Sequence, residues 1–353
     1  MLTPRQISIL DYFRSRVELS SQNVLDLHKQ NNIESSLITV KRDLALLVKS
    51  SYLKAQGKGR SVKYVLTATG KILAPINAHA YCAVEQDRRF DILNYDFSLF
   101  SSAGEVGHLY SEQEFKSLTE ATESFRVRAK SVTQSIHKKE LERFIIELSW
   151  KSSKIEGNTY SILDTERLIR DGVEAIGKTK EEAIMIINHK NAFQFVLEQK
   201  ANFSHALTLA LIEELHHILV AGLEIDSGLR SVPVGITGTS YRPLDNKFQI
   251  REAVDELLKL INDRPLPYEK SLLAQAFVPY IQPFEDGNKR TSRLLANALL
   301  IAQDCAPLSY RSVDENNYKE AILVFYELGN IFELKKIFIE QYLFAATNYN
   351  IKP

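Results

Sequence analysis

What the chain lacks narrows it first. Among its 353 residues are only two cysteines, Cys82 and Cys305, too few for a disulfide framework or a metal cluster. No apolar run reaches the roughly 18 residues that a membrane span requires. The opening Met1-Leu2-Thr3-Pro4-Arg5-Gln6 is polar and charged, unlike a signal peptide. Repeats and low-complexity tracts are missing as well. No membrane partner is expected, and the cytoplasm is the expected location. Histidine runs out early: none follows His217.

A net charge is also lacking, since 44 Lys and Arg balance 44 Asp and Glu. The balance hides an asymmetry. Residues 1–75 hold 12 Lys and Arg against 5 Asp and Glu, leaving 32 against 39 for the remainder. A basic head on an acidic body points to two units with different partners, and the length accommodates two cores.

The head reads as three helices and a hairpin. Ile7, Leu10, Phe13 and Val17 share a helical face over residues 4–17. A second helix is expected over 21–29, capped by Ser20 or Ser21, with Val24, Leu25 and Leu27 apolar. A third follows Ser35-Ser36, with Leu37, Val40, Leu44 and Leu47 inward. Two β-prone stretches then flank Gly57-Lys58-Gly59-Arg60. This order resembles a winged helix-turn-helix domain, and its chemistry suits duplex DNA. Thr39, Lys41 and Arg42 lie near the start of the third helix, where they could enter the major groove, and Lys58, Arg60 and Lys63 could meet phosphates. The alternative is a small protein-binding module whose charges are simply solvated. Winged helices often pair on two-fold sites, which would make the protein a homodimer.

Residues 76–144 read as a connector packing on the larger domain, with a helix start marked by the capping box Ser111-Glu112-Gln113-Glu114. From there to the C-terminus the pattern is helical, so the fold class is mainly α. One segment, SVPVGITGTSY, departs from it: Val232, Val234 and Ile236 alternate ahead of a Gly-rich turn, which predicts a β-hairpin.

Between two helical stretches runs IQPFEDGNKRTSR, residues 281–293. Its Gly287 allows close backbone approach, and a helix starting near Arg290 would present free N–H groups. Arg290 and Arg293, three apart, can clamp phosphate oxygens from one face. Asn288 can donate to a phosphate oxygen, and Asp286 is placed to hold a divalent cation against it. The residues alone describe a nucleotide-phosphate site, with a salt-bridged helix start as the plainer alternative.

PFEDGNKRTSR resembles the signature loop of the Fic (Fido) family, His-x-Phe-x-Asp/Glu-Gly-Asn-Gly/Lys-Arg-x-x-Arg. The likeness continues in LHHILVAGLEIDSGLRSVPVGITGTSYRP, through Gly228, Arg230, Val232 and Ile236, and in TSRLLANALLIAQ. Upstream, SSKIEGN resembles the family's inhibitory Ser/Thr-x-x-x-Glu-Gly pattern through Ser152, Glu156 and Gly157. The similarity covers about 145–345, so a Fic domain over 145–353 is expected behind the head.

The resemblance implies an all-helical core with a β-hairpin flap that binds ATP and Mg²⁺. Asp286 would hold Mg²⁺; Asn288 with the loop amides would hold the α-phosphate; Arg290 and Arg293 would hold the β- and γ-phosphates; Gly287 and Lys289 complete the nucleotide-binding set. The flap through Val232, Val234 and Ile236 would dock a target protein, or the chain itself, by strand addition. Glu156 would reach Arg293 and block the productive nucleotide pose. A carboxylate paired to a phosphate clamp competes with phosphate on electrostatic grounds alone.

Two residues depart from the family pattern. Gln282 stands where the family has the His that takes the proton from the target hydroxyl. An amide oxygen can orient that hydroxyl but cannot carry its proton away, and losing a general base typically costs about 10²–10⁴-fold. His216 and His217 read as packing residues rather than substitutes. Lys289 stands where Gly is commonest; Lys accompanies phosphoryl transfer in Doc-type relatives, which generally lack the second Arg kept here as Arg293. The leading expectation is a nucleotide-binding Fic protein with impaired AMP transfer. Gln282 would then be either natural, marking a pseudoenzyme, or a deliberate inactivation. The alternatives are an active, autoinhibited adenylyltransferase and a transcription regulator with a vestigial Fic core.

Overall fold

The computed structural model describes residues 2–14, 16–89 and 93–351. These are mainly helical, with short strands only, and they group into two compact units. The first comprises Met1–Asp91, Asp96–Leu109 and Glu320–Glu333; the second comprises Ile92–Tyr95, Tyr110–Lys319 and Leu334–Pro353. Among the described residues no helix is long and apolar enough to cross a membrane.

In the first unit, helices Pro4–Arg14, Ser21–Gln30 and Leu37–Lys49 precede strands Leu53–Gln56 and Lys63–Leu66. The strands pair antiparallel, with Leu53 opposite Leu66. Ser20 and Ser36 cap the second and third helices by accepting from Asn23 N and Thr39 N, satisfying donors that a helix start leaves open. Ile9, Leu10, Phe13, Val24, Leu25, Val40, Leu44 and Leu47 close on one core with Leu53; each such side chain stabilises the unit by about 1.5–3 kcal/mol when fully buried. Asp43 is buried among them, satisfied by Arg5 Nε at 2.5 Å and Gln6 Nε2 at 3.1 Å.

Two details differ from expectation. Val17 lies beyond the first helix and is 89% exposed; the core position falls to Leu19, whose backbone bonds Tyr64 in both directions. The unit also continues past residue 75 and takes in a late segment. Asn330 Nδ2 donates to the carbonyls of Lys71 and Ala74, and Ile331 N donates to Ile72 O.

The second unit is built around helices Pro267–Ile281 and Asn288–Ile301. Nearly every residue of both is buried, from Leu272 and Phe277 to Leu294 and Leu300. A helix buried on all sides belongs at the centre of a domain. Helices Glu112–Ser131, Gln134–Ile155, Lys180–Glu198, Leu209–Val220 and Lys247–Asn262 belong to the same unit. The Ser111 capping box forms as expected, with Glu114 returning to Ser111 N.

The expected flap hairpin does not form. Residues 231–240 run irregularly around a turn at 237–238, without paired strands. The short strand Tyr241–Arg242 follows and pairs in parallel with Leu93–Asn94. Pro233 has no N–H to give a ladder, and Gly235 and Gly238 have no side chains to pack, so alternation at Val232, Val234 and Ile236 is not enough.

Candidate functional site

Only six residues join the two central helices, so the connecting loop is held by rigid elements at both ends. It starts with Gln282, whose backbone is left-handed at φ 51°. The helix before it has an unusual debt. The carbonyl of Pro279 would ordinarily accept from the N–H four residues on, but that residue is Pro283, which has none. Gln282 Nε2 donates to Pro279 O at 2.7 Å instead. The other end of the same amide accepts from Asn288 Nδ2 at 2.8 Å. Gln282 is thus a buried brace between the end of one helix and the start of the next.

Asn288 completes the fold of the loop. Its Oδ1 accepts from Phe284 N at 3.0 Å, and its Nδ2 also donates to Phe284 O at 2.8 Å. Phe284 stacks on the His216 ring at 3.8 Å, and His216 Nε2 lies 2.9 Å from Asp286 O. Burial pulls His216 down to about 4, so at neutral pH it is an uncharged donor that fastens the loop. It packs, as its sequence context implied. Gly287 begins the second helix at φ 78°; a Cβ there would meet Val220 Cγ1 at 3.2 Å.

Arg290 projects from the first turn of that helix and Arg293 from the second, both buried, yet they differ in company. Arg290 meets the Asp286 carboxylate at 3.3 Å through Nη2, while its buried Nη1 has no hydrogen-bond partner. Burial accordingly lowers its pKa. Arg293 is held by the C-terminal turn of helix Gln134–Ile155. Its Nε donates to Ser152 Oγ at 2.8 Å and its Nη2 to Ser152 O at 2.9 Å, and Nη1 faces Glu156 Oε1 at 2.9 Å as an ion pair. Ser152 and Glu156 are four apart, hence on one helical face, and their spacing matches the flat fork of a guanidinium.

Burial alone would raise Glu156, but Arg293 and Lys289 outweigh it and hold the carboxylate at about 2. The Lys289 contact is direct, Nζ to Glu156 Oε2 at 2.8 Å. Burial would likewise lower Arg293, and Glu156 turns the net shift upward. Gly157 ends the helix at φ 97°, which lets the chain turn away immediately after the carboxylate. Tyr318 lies beneath the Arg293 guanidinium at 5.6 Å. His189 is wholly buried with both ring nitrogens unpaired; burial, then Arg293 and Arg290, keep it neutral.

Arg230 connects this loop to the segment expected as a flap. It donates through Nε to Gln282 O at 2.6 Å, through Nη1 to Val232 O at 2.6 Å and through Nη2 to Leu244 O, while its N–H donates to Pro283 O at 3.0 Å. Val232 is 46% exposed, and Val234 and Ile236 are half-buried. The sequence reading noted Arg230 without a role; its signal was only a position beside the flap. It also missed the brace made by Gln282 and the grip of Lys289 on Glu156.

The residues expected to meet DNA all lie in the first unit. Lys41 and Arg42 are exposed near the start of helix Leu37–Lys49, whereas the Thr39 hydroxyl is occupied with Ser36 at 3.0 Å. Lys58 is exposed on the turn, and Lys63 reaches Glu18 at 3.4 Å. The side chain of Arg60 lies outside the described residues.

Comparison with known proteins bears on the fold and on the stretch that contains this loop. Residues 206–300 match the model of the Fic/DOC family, and the chain carries a Fic domain. Protein adenylyltransferase Fic of Nematostella vectensis is 29% identical over 174 residues, 48% of this chain and 41% of that protein. Protein adenylyltransferase fic-1 of Caenorhabditis briggsae is 25% identical over 161 residues, 44% of this chain and 31% of that one. The chain thus spans less than half the length of these curated relatives. Among solved structures, a Fic-domain signalling protein of Bacteroides thetaiotaomicron superposes with a TM-score of 0.58 at 20% identity, covering 65% of this chain and 94% of its own. Fic-1 of Caenorhabditis elegans gives 0.56 at 17% identity, covering 71% and 79%; at such identity these two establish the fold alone.

Proposed function

We propose that the protein binds ATP at the 282–293 loop, is held in a closed state by Glu156, and transfers AMP to protein hydroxyls poorly because Gln282 is not a base. The observation that carries this reading is the contrast between the two arginines. Arg293 gives two nitrogens to Ser152 and sets its third, which makes no hydrogen bond, 2.9 Å from the Glu156 carboxylate as an ion pair. The buried Nη1 of Arg290 has no hydrogen-bond partner, and Arg290's ion pair, to the exposed Asp286, runs through Nη2. Burying a cation with an unused donor is costly, and a phosphate oxygen is the ligand that would relieve it. Gly287 and the open N–H groups of the first helical turn favour the same anion.

Among the described residues no cluster of three His, Cys, Asp or Glu could hold a metal by itself. The Asp286 carboxylate, 68% exposed at the loop, fits a Mg²⁺ ion that arrives with the phosphates, since Mg²⁺ commonly takes one carboxylate plus substrate oxygens. The metal would supply charge neutralisation. The protein's own part is to seat the phosphates on Arg290, Arg293, Lys289 and the loop amides, and to present a target along Val232–Ile236. The Asn288 side chain, expected to donate to phosphate, instead spends its amide on Gln282 and Phe284 and shapes the loop. Gln282 can orient the attacking hydroxyl only at the expense of its brace, because both ends of its amide are already used. An imidazole at 282 could meet Pro279 O through Nδ1–H and leave Nε2 free as a base.

For the head, we read residues 1–75 as a winged helix-turn-helix that binds DNA through Lys41, Arg42, Lys58 and Lys63; three helices, an antiparallel hairpin and exposed cations support this. The expected connector 76–144 is divided between the two units near residue 110, and the Fic domain in this reading is the second unit rather than the whole of 145–353. A fluorescence titration with Mg·ATP tests the nucleotide site. Glu156→Gly should bind at least about tenfold more tightly than the native chain, given a carboxylate competing for the same buried cation. No binding to either would leave a vestigial Fic core on a DNA-binding regulator.

A further inference from the structure

We infer that Lys289 has two alternating partners: it holds Glu156 in the closed state and passes to the nucleotide phosphates when Glu156 leaves. The inference rests on the nucleotide reading above and deepens it. Glu156 divides its two oxygens between two cations, Oε1 on Arg293 at 2.9 Å and Oε2 on Lys289 at 2.8 Å. Lys289 and Arg293 are four apart on one helix, so they flank the same point from adjacent turns. The carboxylate sits between them where an anion is wanted.

The two cations differ in freedom. Arg293 is completely enclosed, whereas the Lys289 side chain is 35% exposed. An ammonium on a flexible stem can swing between partners, while a planar fork locked against Ser152 cannot. A Gly at position 289 would leave Glu156 with the Arg293 contact alone. With Lys289 present, opening must break two ion pairs, and the ammonium is then released beside Arg290 and Arg293 at the head of the helix. The residue that strengthens the closed state therefore also strengthens the open, liganded one. Nucleotide binding becomes more switch-like without any change in the loop itself.

This makes the effect of removing Lys289 depend on Glu156, which a simple phosphate ligand would not do. The test is titration of four full-length chains with Mg·ATP: native, Lys289→Ala, Glu156→Gly and the double variant. In the Glu156→Gly background, Lys289→Ala should weaken binding by about three- to tenfold, as loss of a charge-assisted contact does. In the native background the same substitution should weaken binding at least about threefold less, or tighten it, because loosening Glu156 offsets the lost contact. Lys289→Arg should keep the native pattern in both backgrounds, separating charge from fold. Equal weakening in both backgrounds would overturn the inference while leaving the nucleotide site intact. No effect in either background would overturn it too. Failure of Glu156→Gly to bind Mg·ATP at all would instead overturn the site reading, and the inference with it.

Discussion

The 282–293 loop and the 231–240 segment belong to the same unit and are joined by one side chain, Arg230, yet they are built in opposite ways. In the loop, Gln282, Phe284, Asn288, Arg290 and Arg293 are all buried, and the amides of Gln282 and Asn288 are hydrogen-bonded at both ends. The segment is largely exposed, lacks paired strands and takes its anchorage from Arg230 and Tyr241. The loop's backbone is fixed by its own side chains, while Lys289 and Arg293 are held by Glu156 and Ser152. The segment forms no strand ladder of its own. Rigidity and adaptability are assigned to neighbours rather than shared.

Substitutions can break that contrast in order of size. Asn288→Ala should be the most damaging, since it strands Gln282 Oε1 together with the N–H and C=O of Phe284 in the interior. A loss of about 2–4 kcal/mol is expected, read by chemical denaturation, and a change below about 1 kcal/mol would mean the loop is not held as described. Arg230→Ala should cost about 1–3 kcal/mol and open residues 231–244 to limited proteolysis; a segment that stays protected would show that it has other anchors. Val234→Ser, on the adaptable side, should change stability by less than about 0.5 kcal/mol, and a larger loss would place that side chain in the core.

The smallest expected effect is none. Glu156 is held at about 2, below an ordinary carboxylate, so its charge favours the folded, closed state. That contribution is fully present above the ordinary value of about 4.3 and is lost only as pH falls through the folded one. Between pH 8 and 5 the affinity for Mg·ATP should therefore not rise through release of Glu156. A marked rise toward pH 5 would show a carboxylate far less tightly held.

How much of this was legible beforehand follows the range of the physics involved. Helix periodicity and caps are local, so Ser20, Ser36 and Ser111 and the apolar faces of the first unit could be read directly. The break between two helices at 282–287 was legible from composition, because Pro283, the adjacent carboxylates and Gly287 suit a connection and not a buried helix. What could not be read depends on distant partners. Nothing in the chain near Lys289 announces Glu156, 133 residues earlier, and nothing near Ile72 announces Ile331. The expected flap hairpin failed for a different reason. Alternation was present, but Pro233 and two glycines removed the means of pairing.

The central claim is that the phosphate site is intact and the proton acceptor is missing. It is tested most directly by incubating the native chain and the Gln282→His/Glu156→Gly variant with Mg²⁺ and ATP labelled at the α-phosphate, and measuring label transferred to protein. The account predicts label on the double variant and at least about a hundredfold less on the native chain, the usual scale for a general base. Comparable label on both would contradict it, because some group other than residue 282 would then be taking the proton.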